Sequence, residues 1–206
     1  MAEKTTGIYK LITLPKFYVF FQSLLGGDEV RDQIKSDFFP DVNGKRILEV
    51  GCGPGIWASW FKECDYYLGL DWNAEHIRQA NKKWGSDKFQ FEAKDVRTLT
   101  KSTQKFDFVI AFGLLHHLED EESTELLAAV SNILSEDGQV ITIDPVFHDK
   151  QNLIARLIKK MDSGKHIRKA EAYKELVPNC FSDIKVATTV DMLRIPYSHF
   201  FMTLKR

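Results

Sequence analysis

The sequence predicts an α/β protein with a mostly parallel sheet of seven strands, helices on both faces and an antiparallel hairpin at the carboxyl-terminal end. Three observations predict this fold. Short apolar strands alternate with helical segments along most of the chain, a glycine-rich turn follows the first strand, and the last two strand-like runs have no helix between them. Alternating strands and helices form parallel sheets with right-handed crossovers.

The strands and helices are predicted from the spacing of apolar residues. Phe89–Ala93 alternates apolar and polar residues, and Phe106–Ala111 is a continuous apolar run typical of a buried parallel strand. Helices are expected from about residue 56, over Ala74–Trp84, and over Thr124–Leu134, where Asp137-Gly138 should end the segment. The predicted strands are Arg46–Val50, Tyr66–Leu70, Phe89–Ala93, Phe106–Ala111, Gln139–Ile143, Ile184–Val190 and Ser198–Leu204.

Composition restricts the class of protein. The 206 residues suit one domain, and 28 Lys+Arg against 29 Asp+Glu give a net charge of -1, which argues against a dedicated nucleic-acid binder. The three cysteines form no CxxC pair, so neither a disulfide framework nor a zinc site is expected, and a cytoplasmic location is predicted. No apolar run approaches the roughly 20 residues that span a bilayer.

The turn after the first strand reads Glu49-Val50-Gly51-Cys52-Gly53-Pro54-Gly55. Glycines permit a tight turn and let a ligand lie against the backbone. The dinucleotide fingerprint GxGxxG would need glycine where the chain has Ile56, and Glu49 would repel a diphosphate but attract an ammonium group. The turn therefore favours a ligand with a cationic amino group over NAD, and a turn without any ligand is the plainer alternative.

Carboxylates follow the next two predicted strands. Asp71 lies 20 residues after Gly51. At this separation along the sequence, a carboxylate at the end of the next strand typically hydrogen-bonds to a ribose. Trp72 is predicted either to pack on the nucleoside or to lie in the core. Asp95 can accept a hydrogen bond from an adenine amine, with Val96 lining the base, or it can cap a helix.

In this order, the motifs resemble those of the class I S-adenosylmethionine-dependent methyltransferases, whose fold is Rossmann-like. The resemblance covers about residues 44–145 and rests on LEVGCGPG, LGLD, KDV, FDFVIAFGLLHHL and LSEDGQVITID. It implies S-adenosyl-L-methionine as cofactor. Gly51, Gly53 and Gly55 would lie alongside the methionine portion of this cofactor, and Glu49 would help to hold its ammonium group. It also implies Asp71 on the ribose, Asp95 and Val96 at the adenine, and Phe112 beside the methionine end.

Methyl transfer is an in-line displacement, so the protein mainly aligns the reactants, and a hydroxyl acceptor also benefits from a base. His116 and His117 follow the fourth predicted strand and are candidate catalytic bases, although a structural role is equally open. Candidate acceptor-binding residues lie farther along the chain: His166, Arg168 and Tyr173 in a basic insertion, and Tyr197 near the last strand. Arg168 would suit an anionic acceptor, whereas a solvated basic loop is the alternative.

The domain organisation predicted is a helical aromatic segment over residues 1–40 and a methyltransferase domain over 41–206, with a helical insertion at about 146–180. The first segment is expected to be a lid, because Lys4, Lys10 and Lys16 give only a thin basic face for a membrane surface. The predicted acceptor is a small molecule or a lipid or cell-envelope precursor. Protein or RNA methylation, or cofactor binding without catalysis, are the alternatives.

Overall fold

The computed structural model describes residue 35 and residues 41–101, 103–149, 164–189 and 198–206. Eight strands are found in this part of the chain, and seven of them follow one another across the sheet in the order β3-β2-β1-β4-β5-β8-β7. Their bounds are β1 Arg46–Val50, β2 Tyr66–Asp71, β3 Phe89–Ala93, β4 Phe106–Phe112, β5 Leu134–Phe147, β6 Arg168–Lys169, β7 Asp183–Thr189 and β8 His199–Lys205.

The strand directions confirm the predicted mostly parallel sheet and its closing hairpin. Strands β1 to β5 pair in parallel, β8 is antiparallel to β5, and β7 is antiparallel to β8. The short strand β6 pairs in parallel with the end of β5 and was not predicted. Because β1 to β5 are parallel, their carboxyl ends meet at one edge of the sheet, which we call the carboxyl edge.

The helices are α1 Ala74–Trp84, α2 Asp120–Ser131 and α3 Ala170–Glu175. Helix α1 has the predicted bounds because the Asn73 side chain caps its first backbone N–H groups. The prediction for α2 was wrong by several residues. Glu119 and Glu122 form a capping box that starts the helix at residue 120, and Asp137-Gly138 lies within β5.

A regular helix after β1 was also predicted, but the structure has a 3-10 helix over Ala58–Phe61. Further 3-10 helices cover Val96–Lys101 and Leu115–His117. The predicted lid over residues 1–40 lies outside the described residues apart from Lys35. Residues 150–163 of the predicted insertion also lie outside them, and the described part of the insertion contains β6 and α3.

Two buried apolar clusters cover the two faces of the sheet. Neighbouring residues on a strand point to opposite faces, and the adjacent β1 residues Ile47 and Leu48 belong to different clusters. Met202 and Leu204 of β8 are fully buried. Both faces of the central strands are therefore covered, and the carboxyl edge is where the predicted polar residues come together.

Candidate functional site

The glycine turn forms the start of the site at the carboxyl edge. Gly51, Gly53 and Gly55 have φ angles of +73°, +52° and +73°, in the left-handed region that favours glycine. A Cβ at Gly51 would lie 2.9 Å from the Leu114 side chain, whereas a Cβ at Gly53 would meet nothing within 4 Å. The backbone of the turn therefore has a conformation that favours glycine at all three positions, and there is open space beside the middle glycine.

Asp71 ends β2 and faces this turn. Its Oδ2 accepts a hydrogen bond from the Gly53 backbone N–H at 2.9 Å, and its Oδ1 accepts one from the Asn73 N–H at 2.8 Å. The carboxylate is buried and lies 3.7 Å from the His76 ring nitrogen. The structure therefore brings together the glycine turn and the carboxylate that the sequence predicted on separate strands.

Trp72 follows Asp71 and is 58% exposed. This exposure contradicts the alternative that Trp72 is a core residue. A large apolar ring left in water next to Asp71 is available to pack on a flat ligand.

Glu49 lies under the turn and is 1% exposed. Its carboxyl accepts a hydrogen bond from the Tyr67 hydroxyl. Burial raises the pKa of Glu49 to about 8; the Tyr67 hydrogen bond lowers it and the nearby Asp71 charge raises it further. Near neutral pH this carboxyl is therefore largely protonated, and a cation beside it would favour its ionised form.

We expect Glu49→Gln to stabilise the ligand-free protein in alkaline solution. A carboxyl with a raised pKa keeps its proton better in the folded state, so its contribution to stability is lost as pH rises from about 4.5 toward about 8. Glutamine resembles the protonated side chain and lacks that titration. The unfolding free energy of the variant relative to wild type should rise by at least about 1 kcal/mol across this range, measured by urea denaturation. A difference independent of pH would contradict the prediction, and exposed Glu63→Gln controls for the loss of one charge.

The carboxylate after β3, that of Asp95, accepts hydrogen bonds from a neighbouring residue of the protein. Asp95 accepts hydrogen bonds from the Arg97 guanidinium at 2.6–3.1 Å and from the Arg97 backbone N–H at 2.9 Å, and these bonds lower the pKa of Asp95. Val96 is buried in the core. Asp95 thus caps the 3-10 helix over Val96–Lys101, which was the structural alternative, and its contact with an adenine stays a prediction.

An aromatic cluster lies after the glycine turn. The ring of Phe112, at the end of β4, meets Trp57 edge to face at 5.5 Å and Trp60 at 6.4 Å. The sequence analysis named Phe112 but missed the two tryptophans. Their spacing directly after Gly55, at positions i and i+3, was the available signal.

His116 is only 5% exposed and is held by a carboxylate that the sequence analysis missed. Asp144 Oδ1 accepts from the His116 backbone N–H at 3.1 Å and lies 2.8 Å from Nδ1 of the ring. The His116 and His117 ring centroids are 4.1 Å apart. Asp144 directly follows the predicted strand Gln139–Ile143, as Asp71 follows its strand, and that position was the signal for it.

Arg168 was predicted to meet the acceptor, but the structure uses it inside the protein. Nη1 donates to the carbonyls of Leu115 and His166 at 2.8 and 2.9 Å, and Nη2 donates to Leu118 O and Asp120 Oδ1, both at 2.7 Å. Nε donates to Asp120 Oδ1 at 2.8 Å. A guanidinium has five N–H groups, so Arg168 keeps none for an acceptor and instead fastens β6 to the turn after β4.

The other candidate acceptor residues also differ from the prediction or lie outside the described residues. Tyr173 is fully buried and its hydroxyl donates to Pro145 O at 2.9 Å, which makes it a packing residue. His166 is half-buried, and its backbone N–H donates to His116 O. Tyr197 lies outside the described residues.

In the described ranges, no three His, Cys, Asp or Glu side chains are grouped so as to hold a metal ion. None of the helices described has the length and apolarity to cross a membrane.

Comparisons with known proteins agree with this geometry. A family model described as a methyltransferase domain matches residues 47–138. An uncharacterised methyltransferase of Geobacillus sp. (strain WCH70) is 24% identical over 152 residues, which are 70% of this chain and 71% of the relative. A ubiquinone biosynthesis O-methyltransferase of Coxiella burnetii is 29% identical over 84 residues, 39% of this chain and 36% of the relative.

The fold is also found among solved structures. The crystal structure of a SAM-dependent methyltransferase from Archaeoglobus fulgidus superposes with a TM-score of 0.70 at 19% identity. The match covers 92% of this chain and all of that one. At this identity the likeness concerns the fold.

Proposed function

We propose that this chain, a class I S-adenosylmethionine-dependent methyltransferase whose matched domain spans residues 47–138, methylates a small-molecule acceptor. The observation that carries the proposal is the joining of the glycine turn to the Asp71 carboxylate at the carboxyl edge, beside an exposed tryptophan.

The residues at this edge fit the cofactor. The open space at Gly53 lets a ligand approach the backbone, and the two oxygens of Asp71 can accept from vicinal ribose hydroxyls. Trp72 would pack on the nucleoside, and Glu49, once ionised, would attract the ammonium group. The bound cofactor supplies a methyl group already activated on a sulfonium, so these residues mainly hold and align it.

A small acceptor is supported by two observations. The Coxiella relative is named as an enzyme of ubiquinone biosynthesis. The near-zero net charge of the chain also gives little electrostatic attraction for nucleic acid. An anionic acceptor is not supported by Arg168, because its N–H groups are bonded within the protein.

We expect calorimetry to detect binding of S-adenosylhomocysteine, the demethylated product, and none of NAD. The reason is the combination of Ile56 in place of the third fingerprint glycine with Glu49, whose ionised form is favoured by a neighbouring ammonium group and disfavoured by a diphosphate. Binding of NAD without binding of S-adenosylhomocysteine would refute the proposed function.

The acceptor class is tested with methyl-labelled cofactor and cell extracts separated into small molecules, RNA and protein. Label is expected in the small-molecule fraction. Label in protein or RNA would favour the corresponding alternative, and binding without any label transfer would indicate a non-catalytic cofactor-binding protein.

A further inference from the structure

A buried pair of side chains, Tyr67 and Glu49, lies beneath the glycine turn. We infer that Tyr67 is the positioning residue of the site for the cofactor's ammonium group: its hydroxyl holds the Glu49 carboxyl, and Glu49 releases a proton when an ammonium group binds beside it. This inference rests on the proposed function and deepens it by naming a residue that makes the turn selective for ligands with a cationic amino group.

The ring of Tyr67 is held in the core and is 0% exposed. It packs against three aromatic rings at centroid distances of 5.9, 5.1 and 5.5 Å, those of Phe61, Phe89 and Phe91. Tyr67 pairs in register with Ile47 of β1, and Glu49 lies two residues after Ile47, so the side chains of Tyr67 and Glu49 point to the same face of the sheet. The Tyr67 hydroxyl therefore donates to Glu49 from a fixed position.

Among the described residues, Tyr67 is the one hydrogen-bond donor to the Glu49 side chain. Gly69, the register partner of Glu49 on β2, has no side chain, and a Cβ there would lie 2.6 Å from the Phe91 ring and 2.9 Å from the Cys52 sulfur. This position therefore leaves no room for a second donor from β2. A buried ionised carboxylate with one hydrogen bond and no neighbouring cation is costly, so the empty site favours the protonated carboxyl.

The titratable groups around the pair do not offset the burial of Glu49. Those that face the pair or its neighbouring carboxylate come from β2, the glycine turn, the segment before β2 and helix α1: Asp71, Cys52, Cys64 and His76. Carboxyl and thiol groups ionise only to a negative charge, and any charge on His76 acts first on Asp71, 3.7 Å away. Burial raises the pKa of Tyr67 well above its ordinary value, so its hydroxyl stays a donor near neutral pH.

Glu49 is the group that changes state when the site fills. With an ammonium group beside it, the O–H bond of its carboxyl breaks, the proton passes to water and the electron pair stays on the carboxylate oxygen. The carboxylate then accepts from both the ammonium group and the Tyr67 hydroxyl, and such charge-assisted hydrogen bonds are stronger than neutral ones. The Tyr67 hydrogen bond lowers the pKa of Glu49 and so brings this exchange closer to neutral pH. A ligand without an ammonium group leaves the proton on Glu49.

Calorimetry on the full chain at about pH 6.5, in two buffers with different heats of ionisation, counts the protons released on binding. S-adenosylhomocysteine carries the ammonium group, whereas 5′-methylthioadenosine keeps the nucleoside and the sulfur but lacks the amino-acid portion. We expect release of about 0.5–1 proton with the first ligand and less than about 0.2 with the second, because Glu49 with a pKa of about 8 is protonated in the empty site.

The two ligands also separate the inference from the proposed function. Equal proton release with both ligands, or none with either, would overturn the inference and leave the proposed function intact. Absence of S-adenosylhomocysteine binding would refute the proposed function itself.

The affinity should depend on pH in the same selective way. As pH rises from about 6 to 7.5, toward the pKa of Glu49 at about 8, a larger fraction of the empty site already holds the ionised carboxylate. The Kd of S-adenosylhomocysteine should therefore fall at least about fivefold over this range, while that of 5′-methylthioadenosine stays within about twofold. A Kd of S-adenosylhomocysteine that is constant or rises with pH would contradict the inference.

Tyr67→Phe keeps the ring in its aromatic surroundings and removes only the hydroxyl. At about pH 6.5 it should weaken S-adenosylhomocysteine at least about fivefold and leave the Kd of 5′-methylthioadenosine within about twofold. Tyr66→Phe, the matched control one residue earlier on β2, removes a hydroxyl that donates to Gln90 Oε1 at 2.9 Å in an exposed hydrogen bond and should change neither Kd.

A thermal melt of each variant shows whether it is folded when affinity is measured. If Tyr67→Phe weakened both ligands alike, or neither, Tyr67 would have a structural role only and the inference would be wrong. Should Tyr67→Phe fail to fold, the proton count on the wild-type chain still decides the inference.

Discussion

Arg168→Ala is expected to lower the free energy of unfolding by about 1–3 kcal/mol, the range for leaving a buried acceptor without its donor, because its acidic partner Asp120 is 80% exposed and stays solvated. Arg168 is 8% exposed, and its guanidinium donates to the carbonyls of Leu115, Leu118 and His166 and to the Asp120 carboxylate. Removing it leaves buried carbonyls without donors and frees β6 from the turn that carries the two histidines.

Urea denaturation followed by circular dichroism measures this loss. Arg168→Lys should recover only a small part of it, because an ammonium cannot reach the acceptors of a planar guanidinium. Arg78→Ala, an exposed change on α1, should alter stability by no more than about 0.5 kcal/mol. An Arg168→Ala variant as stable as this control would show that the network contributes little and would restore Arg168 as a candidate acceptor residue.

Asp71→Ala is expected to weaken binding of S-adenosylhomocysteine by about 1.5–3 kcal/mol, the scale of lost hydrogen bonds to a charged group. The change removes the proposed ribose acceptor and also releases the Gly53 N–H that shapes the turn. Calorimetry on wild type and variant gives the difference in affinity.

A thermal melt of the same variant confirms that it is folded when affinity is measured. Asp87→Ala removes an exposed aspartate before β3 and should leave the dissociation constant unchanged. If Asp71→Ala bound as tightly as wild type, Asp71 would have no place in the cofactor site.

The fold could be predicted because the information lies in short stretches of sequence. The Ala74–Trp84 helix and the Phe89–Ala93 strand were predicted with the bounds that the structure has. The start of α2 was missed because Glu119 acts as an N-cap only through a reciprocal bond with Glu122. Strand β5 was predicted too short. Polar residues near its start, where its pairing with β4 shifts register after Phe106, interrupt the apolar pattern.

The site was predictable only where a carboxylate or a glycine directly follows a strand. Gly51 to Gly55 and Asp71 are of this kind, and the structure brings them together. The role of Arg168 could not be read from the sequence, because its partners Leu115, Leu118 and Asp120 lie 48 to 53 residues earlier. A basic residue in a basic segment gives no local sign that it will be buried.

The position of β8 between β5 and β7 has a consequence for biosynthesis. Gln139 pairs with Lys205 and Asp183 also pairs with Lys205. Among the described strands, β7 therefore joins the rest of the sheet only through β8, which the ribosome makes after it. Until β8 emerges, β5 has an open edge and the apolar positions that β8 covers stay in water. Pairings of large sequence separation form slowly and leave such edges open to aggregation. The nascent chain is therefore most vulnerable just before β8 is added, and chaperone capture should peak at that length.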